Sequence, residues 1–115
     1  MKRTVILALS AIAFVMATGT ASAQDAAKIA KGKAAYAAST CKMCHSIDGV
    51  GNAKGPLDSV GAKLTPAEIK EWLTDPVGMT AKTKSTRTPA MKLTKPIPAE
   101  DVDAMVAYLS TLKKK

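Results

Sequence analysis

The chain has 115 residues, with 17 Lys and Arg against nine Asp and Glu and a formal net charge of +8. That length holds one small domain and excludes a second. The lysines are not interleaved with aromatic residues, which argues against a surface on which nucleic-acid bases stack, so the basic balance points to an acidic protein partner or to solubility alone.

Lys2 and Arg3, an apolar stretch from Val5 to Ala17 interrupted by Ser10, and Ala21-Ser22-Ala23 before Gln24 read as a secretory signal peptide over residues 1–23. The apolar stretch is about 13 residues, short of the roughly 20 that a spanning helix needs, so cleavage after Ala23 and no stable membrane insertion afterwards are expected. Cleavage would leave residues 24–115 as the domain, 92 residues with a formal charge of +6. Its only aromatic residues are Tyr36, Trp72 and Tyr108. So small a domain is marginal without a covalent or cofactor staple.

From Asp25 to about Ser39, Ile29, Gly32 and Tyr36 recur at spacings of three and four, which predicts a helix. It leads into Cys41-Lys-Met-Cys44-His45, and these are the chain's only two cysteines and its only histidine. Two thiols three positions apart can each add to a vinyl group of one porphyrin, and the adjacent imidazole then ligates the iron. The pentad therefore reads as an attachment site for one covalent haem c. The alternatives are weaker: a thiol redox centre expects a βαβ setting, and no alternating strand-like run is visible here. A structural zinc site takes four ligands where Cys and His supply three, and a disulfide would leave His45 unexplained.

Residues 47–64 read as a loop rich in Gly, Pro and Thr. Thr65-Pro66-Ala67-Glu68 then announces a second helix, with Thr65 as cap, Pro66 at the first position and Glu68 completing a capping box. Ile69, Trp72 and Leu73 form its expected buried face, and Pro76 is expected to end it. Residues 75–97 read as a second loop, about 20 residues long, a length that usually signals function or disorder. A third helix should begin near Pro98, bury Val102, Met105, Val106 and Leu109, and run into Lys113, Lys114 and Lys115 as cations at its C-terminus.

Taken together, the pentad, Gly32 and Tyr36, Gly55-Pro56-Leu57 and Tyr108-Leu109 resemble the class I c-type cytochromes, small soluble monohaem electron carriers of bacteria, over residues 26–113. The resemblance implies an all-α, cytochrome c-like fold of three main helices with loops wrapped around one haem, and a close approach of Gly32 to Tyr108. It also implies that the Pro56 carbonyl accepts the free ring N–H of His45. With no second histidine, the sixth iron ligand falls to a methionine. Met43 is tethered between the cysteines and Met105 lies on a core stripe, which leaves Met79 and Met91. Met91 stands 46 residues after His45 and seven before Pro98, which resembles the ligand position of the shorter bacterial members. His45 and Met91 are thus the expected metal ligands, and Lys92 stands where the family often has proline. Trp72 is either a core side chain or a donor to a haem propionate. Arg87, Lys82 and Lys84 read as a solvated basic loop, with propionate pairing as the alternative.

The function expected is a periplasmic one-electron carrier, without catalysis of its own, that serves acidic redox partners such as an oxidase, reductase or dehydrogenase. Two rivals stand beside it: a haem-bearing subunit docked to a periplasmic dehydrogenase, and a ligand-binding sensor with a vacant sixth site.

Overall fold

The computed structural model describes residues 20–115, with side chains from Asp25 onward. The leader read over residues 1–23 lies almost wholly outside them. Helix α1, Thr20–Ala38, starts earlier than Asp25 because the alanine-rich run ahead of it is equally favourable to helix. A single 3-10 turn, Thr40–Met43, carries Cys41 and opens the pentad. Two short strands follow, β1 (Ser46–Ile47) and β2 (Val50–Gly51), paired antiparallel with Ile47 opposite Val50. Next come a four-residue helix α2 (Val60–Lys63), then α3 (Pro66–Thr74), α4 (Pro76–Thr83) and α5 (Ala99–Ser110). The described part is therefore helical, with one two-stranded hairpin as its only sheet.

The hairpin and α4 correct the reading of both loops. Asp48 and Gly49 both hold positive φ, 51° and 77°, which is the turn a two-residue hairpin uses. The Asp-Gly pair was the available signal, but two-residue strands are too short to show alternation. Helix α3 ends just before Pro76, as expected, and Pro76 also begins α4. The Asp75 carboxylate accepts from the Gly78 N–H at 2.9 Å, so Asp75-Pro76 supplies cap and first residue together. Thr80 and Thr83 then donate their hydroxyls back to the Pro76 and Met79 carbonyls, at 2.8 and 2.7 Å.

Helix α3 starts as its sequence requires. The Thr65 hydroxyl accepts from the Glu68 N–H at 3.2 Å, and the Glu68 carboxylate accepts from the Thr65 N–H at 2.7 Å. Ile69 and Leu73 are buried while Trp72 is only half-buried, so the indole is not a full member of the core.

The core forms where α1 crosses α5. Tyr36, Ile47, Ile69, Leu73, Val102, Met105, Tyr108 and Leu109 make one buried cluster, and Met105 is fully enclosed. Gly32 sits at the crossing, where a Cβ would collide with the Ala104 carbonyl and lie 2.8 Å from the Tyr108 Cβ. Contact with the facing backbone compensates for the cost of glycine inside a helix, about 1 kcal/mol relative to alanine. Tyr36 and Tyr108 meet edge to face with centroids 6.3 Å apart.

The last helix stops at Ser110, short of the terminal lysines. Rather than extending the helix, the tail folds back. The Lys114 N–H donates to the Asp58 carbonyl at 2.9 Å, and its ammonium pairs with Asp48 and Asp58. Carboxylates across the chain hold Lys114 more directly than a helix dipole would.

Candidate haem site

The 3-10 turn places the pentad. Cys44 and His45 both donate their N–H groups to the Cys41 carbonyl, at 3.1 and 2.9 Å, so the two thiols and the imidazole leave a single tight turn. Both cysteines are free, Cys41 half-buried and Cys44 exposed, and burial pushes the Cys41 thiol up from its ordinary pKa.

His45 is half-buried and its Nδ1 lies 3.0 Å from the Gly55 carbonyl oxygen. A carbonyl only accepts, so the ring proton resides on Nδ1 and the Nε2 lone pair is left for a metal. Burial pulls the His45 pKa down, against the bond to Gly55 and assisted by the Arg87 charge, which favours the neutral ring that ligation needs.

The acceptor is Gly55 and not Pro56, which corrects the residue implied by the resemblance. Ser46 and Pro56 form a parallel bridge, in which Ser46 bonds to the residues on either side of its partner. Its N–H donates to Gly55 O at 3.1 Å, and its carbonyl accepts from Leu57 N–H at 2.8 Å. One Gly55 oxygen thus holds both the His45 ring and the Ser46 backbone. A Cβ at Gly55 would collide with the Cys44 carbonyl and stand 3.1 Å from His45 Nδ1, so this close approach requires glycine. Pro56 came from the resemblance alone, and nothing in the residues themselves distinguishes the carbonyl of Gly55 from that of Pro56.

The two candidate methionines occupy different settings. Met79 is 4% exposed and belongs to α4, beside a cavity of about 270 Å³ lined by Glu71, Thr74, Asp75, Gly78 and Lys82. No pentad residue lines that cavity. Met91 is half-buried in residues 84–98, which carry neither helix nor strand. Two side-chain bonds link this segment to the pentad region. The Thr40 and Thr94 hydroxyls are 3.0 Å apart, and the Arg87 guanidinium donates to the Lys54 carbonyl at 2.7 Å. Lys82 is paired with Glu71 at 2.9 Å.

The donor set fits a covalently held haem: two free thiols in one turn, and beside them an imidazole with its tautomer already fixed. Among the described residues, no group of three or more His, Cys, Asp and Glu side chains converges as a cage for a bare metal ion.

The sequence model of the cytochrome c family matches residues 29–113, nearly three quarters of the chain and all of the elements that build this site. The chain belongs to the cytochrome c family. A search of the curated proteins and a search of the solved structures each returned no match. Membership makes this a haem-binding electron-transfer protein of cytochrome c-like, all-α fold, with covalent haem c and its iron as cofactor and redox proteins as partners. Among the described residues no helix is long and apolar enough to cross a membrane.

Proposed function

We propose that this cytochrome c is an exported, periplasmic one-electron carrier in which Cys41 and Cys44 bind haem covalently, His45 is the proximal ligand and Met91 the distal one. The observation that carries the reading is the His45 Nδ1 bond to Gly55, because it leaves one imidazole nitrogen free next to two free thiols. Bound haem supplies a one-electron Fe(III)/Fe(II) couple. His45 holds its proton at Nδ1 against Gly55, keeps Nε2 as a neutral donor and fixes the ring plane. Met91, rather than Met79, fits the distal role because its segment is bonded to Thr40, next to the pentad, and to Lys54, next to the His45 acceptor, whereas Met79 is buried in α4 beside a cavity that no pentad residue lines. Two permanent protein ligands leave no coordination position for a substrate, which is why the protein carries electrons and catalyses nothing itself.

The charge layout supports an acidic partner. The acids of α5, Glu71 of α3, and Asp48 and Asp58 near the tail are matched by Lys31, Lys70, Lys82 and Lys114. Lys42, Lys54, Lys84, Arg87, Lys92 and Lys95, around the pentad and the Met91 segment, form no ion pair among the described residues. Lys28, Lys33, Lys63, Lys113 and Lys115 are unpaired among the described residues too, so the positive charge that would steer an acidic partner surrounds the haem site and extends beyond it.

A pyridine haemochrome assay with ferric and ferrous spectra tests the whole reading. One haem per chain with both thioethers, a ferric Met-to-iron charge-transfer band and only slow carbon monoxide uptake at neutral pH, limited by release of the methionine, are expected. Immediate carbon monoxide uptake by the native ferrous protein, at the rate of Met91→Ala, would replace the carrier with a sensor. Stopped-flow rates with an acidic oxidase or dehydrogenase should fall steeply with salt, since the Debye length shrinks from about 10 Å at 0.1 M to about 3 Å at 1 M. A flat salt dependence would favour a permanently docked subunit.

A further inference from the structure

Residues 84–98 carry the proposed distal ligand without any secondary structure to hold it. Among the described residues, no backbone-to-backbone hydrogen bond involves residues 86–97. Position in this stretch depends on the half-buried Leu93 and Ile97 and on side-chain bonds that reach elsewhere.

Two such bonds are long-range, and they bracket Met91. Arg87, four residues before it, donates to the Lys54 carbonyl at 2.7 Å. Thr94, three residues after it, shares a hydroxyl hydrogen bond with Thr40 at 3.0 Å. Their anchor points matter as much as their lengths. Thr40 immediately precedes Cys41 and belongs to the turn that presents the thiols. Lys54 immediately precedes Gly55, whose carbonyl holds the His45 ring. Both sides of the methionine are therefore tied to the backbone that fixes the histidine.

We propose that Arg87 and Thr94 are positioning residues for Met91, the first through Lys54 and the second through Thr40, so that the distal ligand is set relative to the same rigid unit as His45. The proposal rests on Met91 being the sixth ligand. A methionine sulfur is a neutral, weak donor, and its bond to iron survives only while the chain holds it in place. Each tie that is cut raises the population of the opened segment, in which the sixth position is accessible from solvent.

The test uses holoprotein variants and two readouts, the ferric Met-to-iron charge-transfer band and the rate at which carbon monoxide enters the ferrous protein. Thr94→Val should raise that rate about threefold, and Arg87→Gln, which removes a charged donor, about tenfold. Thr94→Ser keeps the hydroxyl and should restore the native rate. Thr40→Val should match Thr94→Val, and the double variant should be no worse than either, since one bond is lost in all three. Native entry rates in both Thr94→Val and Arg87→Gln would overturn the proposal. So would a shifted reduction potential in Arg87→Gln at an unchanged entry rate, which would assign the guanidinium to a haem propionate. Met91→Ala is run alongside. If its band survives, the ligand assignment fails and takes the proposal with it; if its band is lost while the ties prove silent, only the positioning role fails.

Discussion

The two sides of the proposed haem site, proximal at His45 and distal at Met91, are built by opposite means. On the proximal side the chain turns back on itself within a few residues. The 3-10 turn, the Asp48-Gly49 hairpin and the Ser46–Pro56 bridge are backbone-bonded, and His45 reaches its acceptor only ten positions away. On the distal side the segment has no backbone bonds over residues 86–97, and its ties span 33 and 54 positions. Short loops close at little entropic cost and form early, while long-range ties must wait for the surrounding fold. The comparison teaches that the histidine is held by local chain geometry and the methionine by the finished tertiary structure. Exchange at the sixth position should therefore be far easier than at the fifth.

The largest effect should come from the proximal side. His45→Ala removes the only imidazole, and haem-stained gels of extracts of the expressing cells should show almost no stable holoprotein. A normal band with a native spectrum would overturn the assignment of the pentad. Cys44→Ala should retain a singly attached haem at much reduced yield.

Second in size is the contrast between methionines. Met91→Ala should fold with haem attached, lose the charge-transfer band and bind carbon monoxide. Met79→Ala should keep the band yet lose about 2–5 kcal/mol of stability, the usual cost of emptying a buried methionine site. Denaturant midpoints read beside the spectra separate the two. The reverse pattern would move the ligand onto α4.

Gly55→Ala probes the local geometry directly. Its Cβ would collide with the Cys44 carbonyl, so the turn must shift, at about 1–3 kcal/mol, and the His45 acceptor moves with it. Pro56→Ala leaves that carbonyl in place and should change stability and the iron spectrum little. Equal effects from the two would restore Pro56 to the role assigned here to Gly55.

The smallest effect concerns pH. Burial, followed by the charges of Cys41, Tyr108 and Asp58, pushes the Tyr36 phenol up to about 12. Burial persists when Cys41 becomes a thioether. An unfolded phenol titrates near 10, so between these values the folded chain keeps a proton that the unfolded chain has lost. Stability present in full below about pH 10 is then lost as pH rises toward 12. Tyr36→Phe should flatten this alkaline decline, measured as urea midpoints at about pH 9 and about pH 11. An unchanged slope would mean that another group sets it. Removing the hydroxyl should cost little at neutral pH, because its oxygen is buried without a hydrogen-bond partner among the described residues.

Much of this was legible in the residues, for identifiable reasons. The thiols and the imidazole share one pentad, so their proximity needed no fold to establish it. The capping box at Thr65 and the glycine at the α1–α5 crossing are likewise short-range or single-residue signals, and both stand where the sequence put them. Signals that were present but read incompletely include Asp48-Gly49, which turns a hairpin, and Asp75-Pro76, which ends α3 as expected and also starts α4. A proline next to a helix end can also be the first residue of the next helix, and only the bonding of Asp75 to Gly78 decides between them.

What the sequence by itself determined is therefore the chemistry: one imidazole, two thiols spaced for one porphyrin, and the family that uses them. What only the tertiary structure decided is which backbone atom holds the ring and how the tail and the Met91 segment are tied. Gly55 and Pro56 are adjacent in the sequence but face opposite ways once the Ser46 bridge forms. Likewise Thr40 and Thr94, or Lys114 and Asp48, carry no mark of partnership in a one-dimensional chain. Bonds of that kind depend on where the packed helices leave two distant backbones, and the close approach is a property of the whole fold.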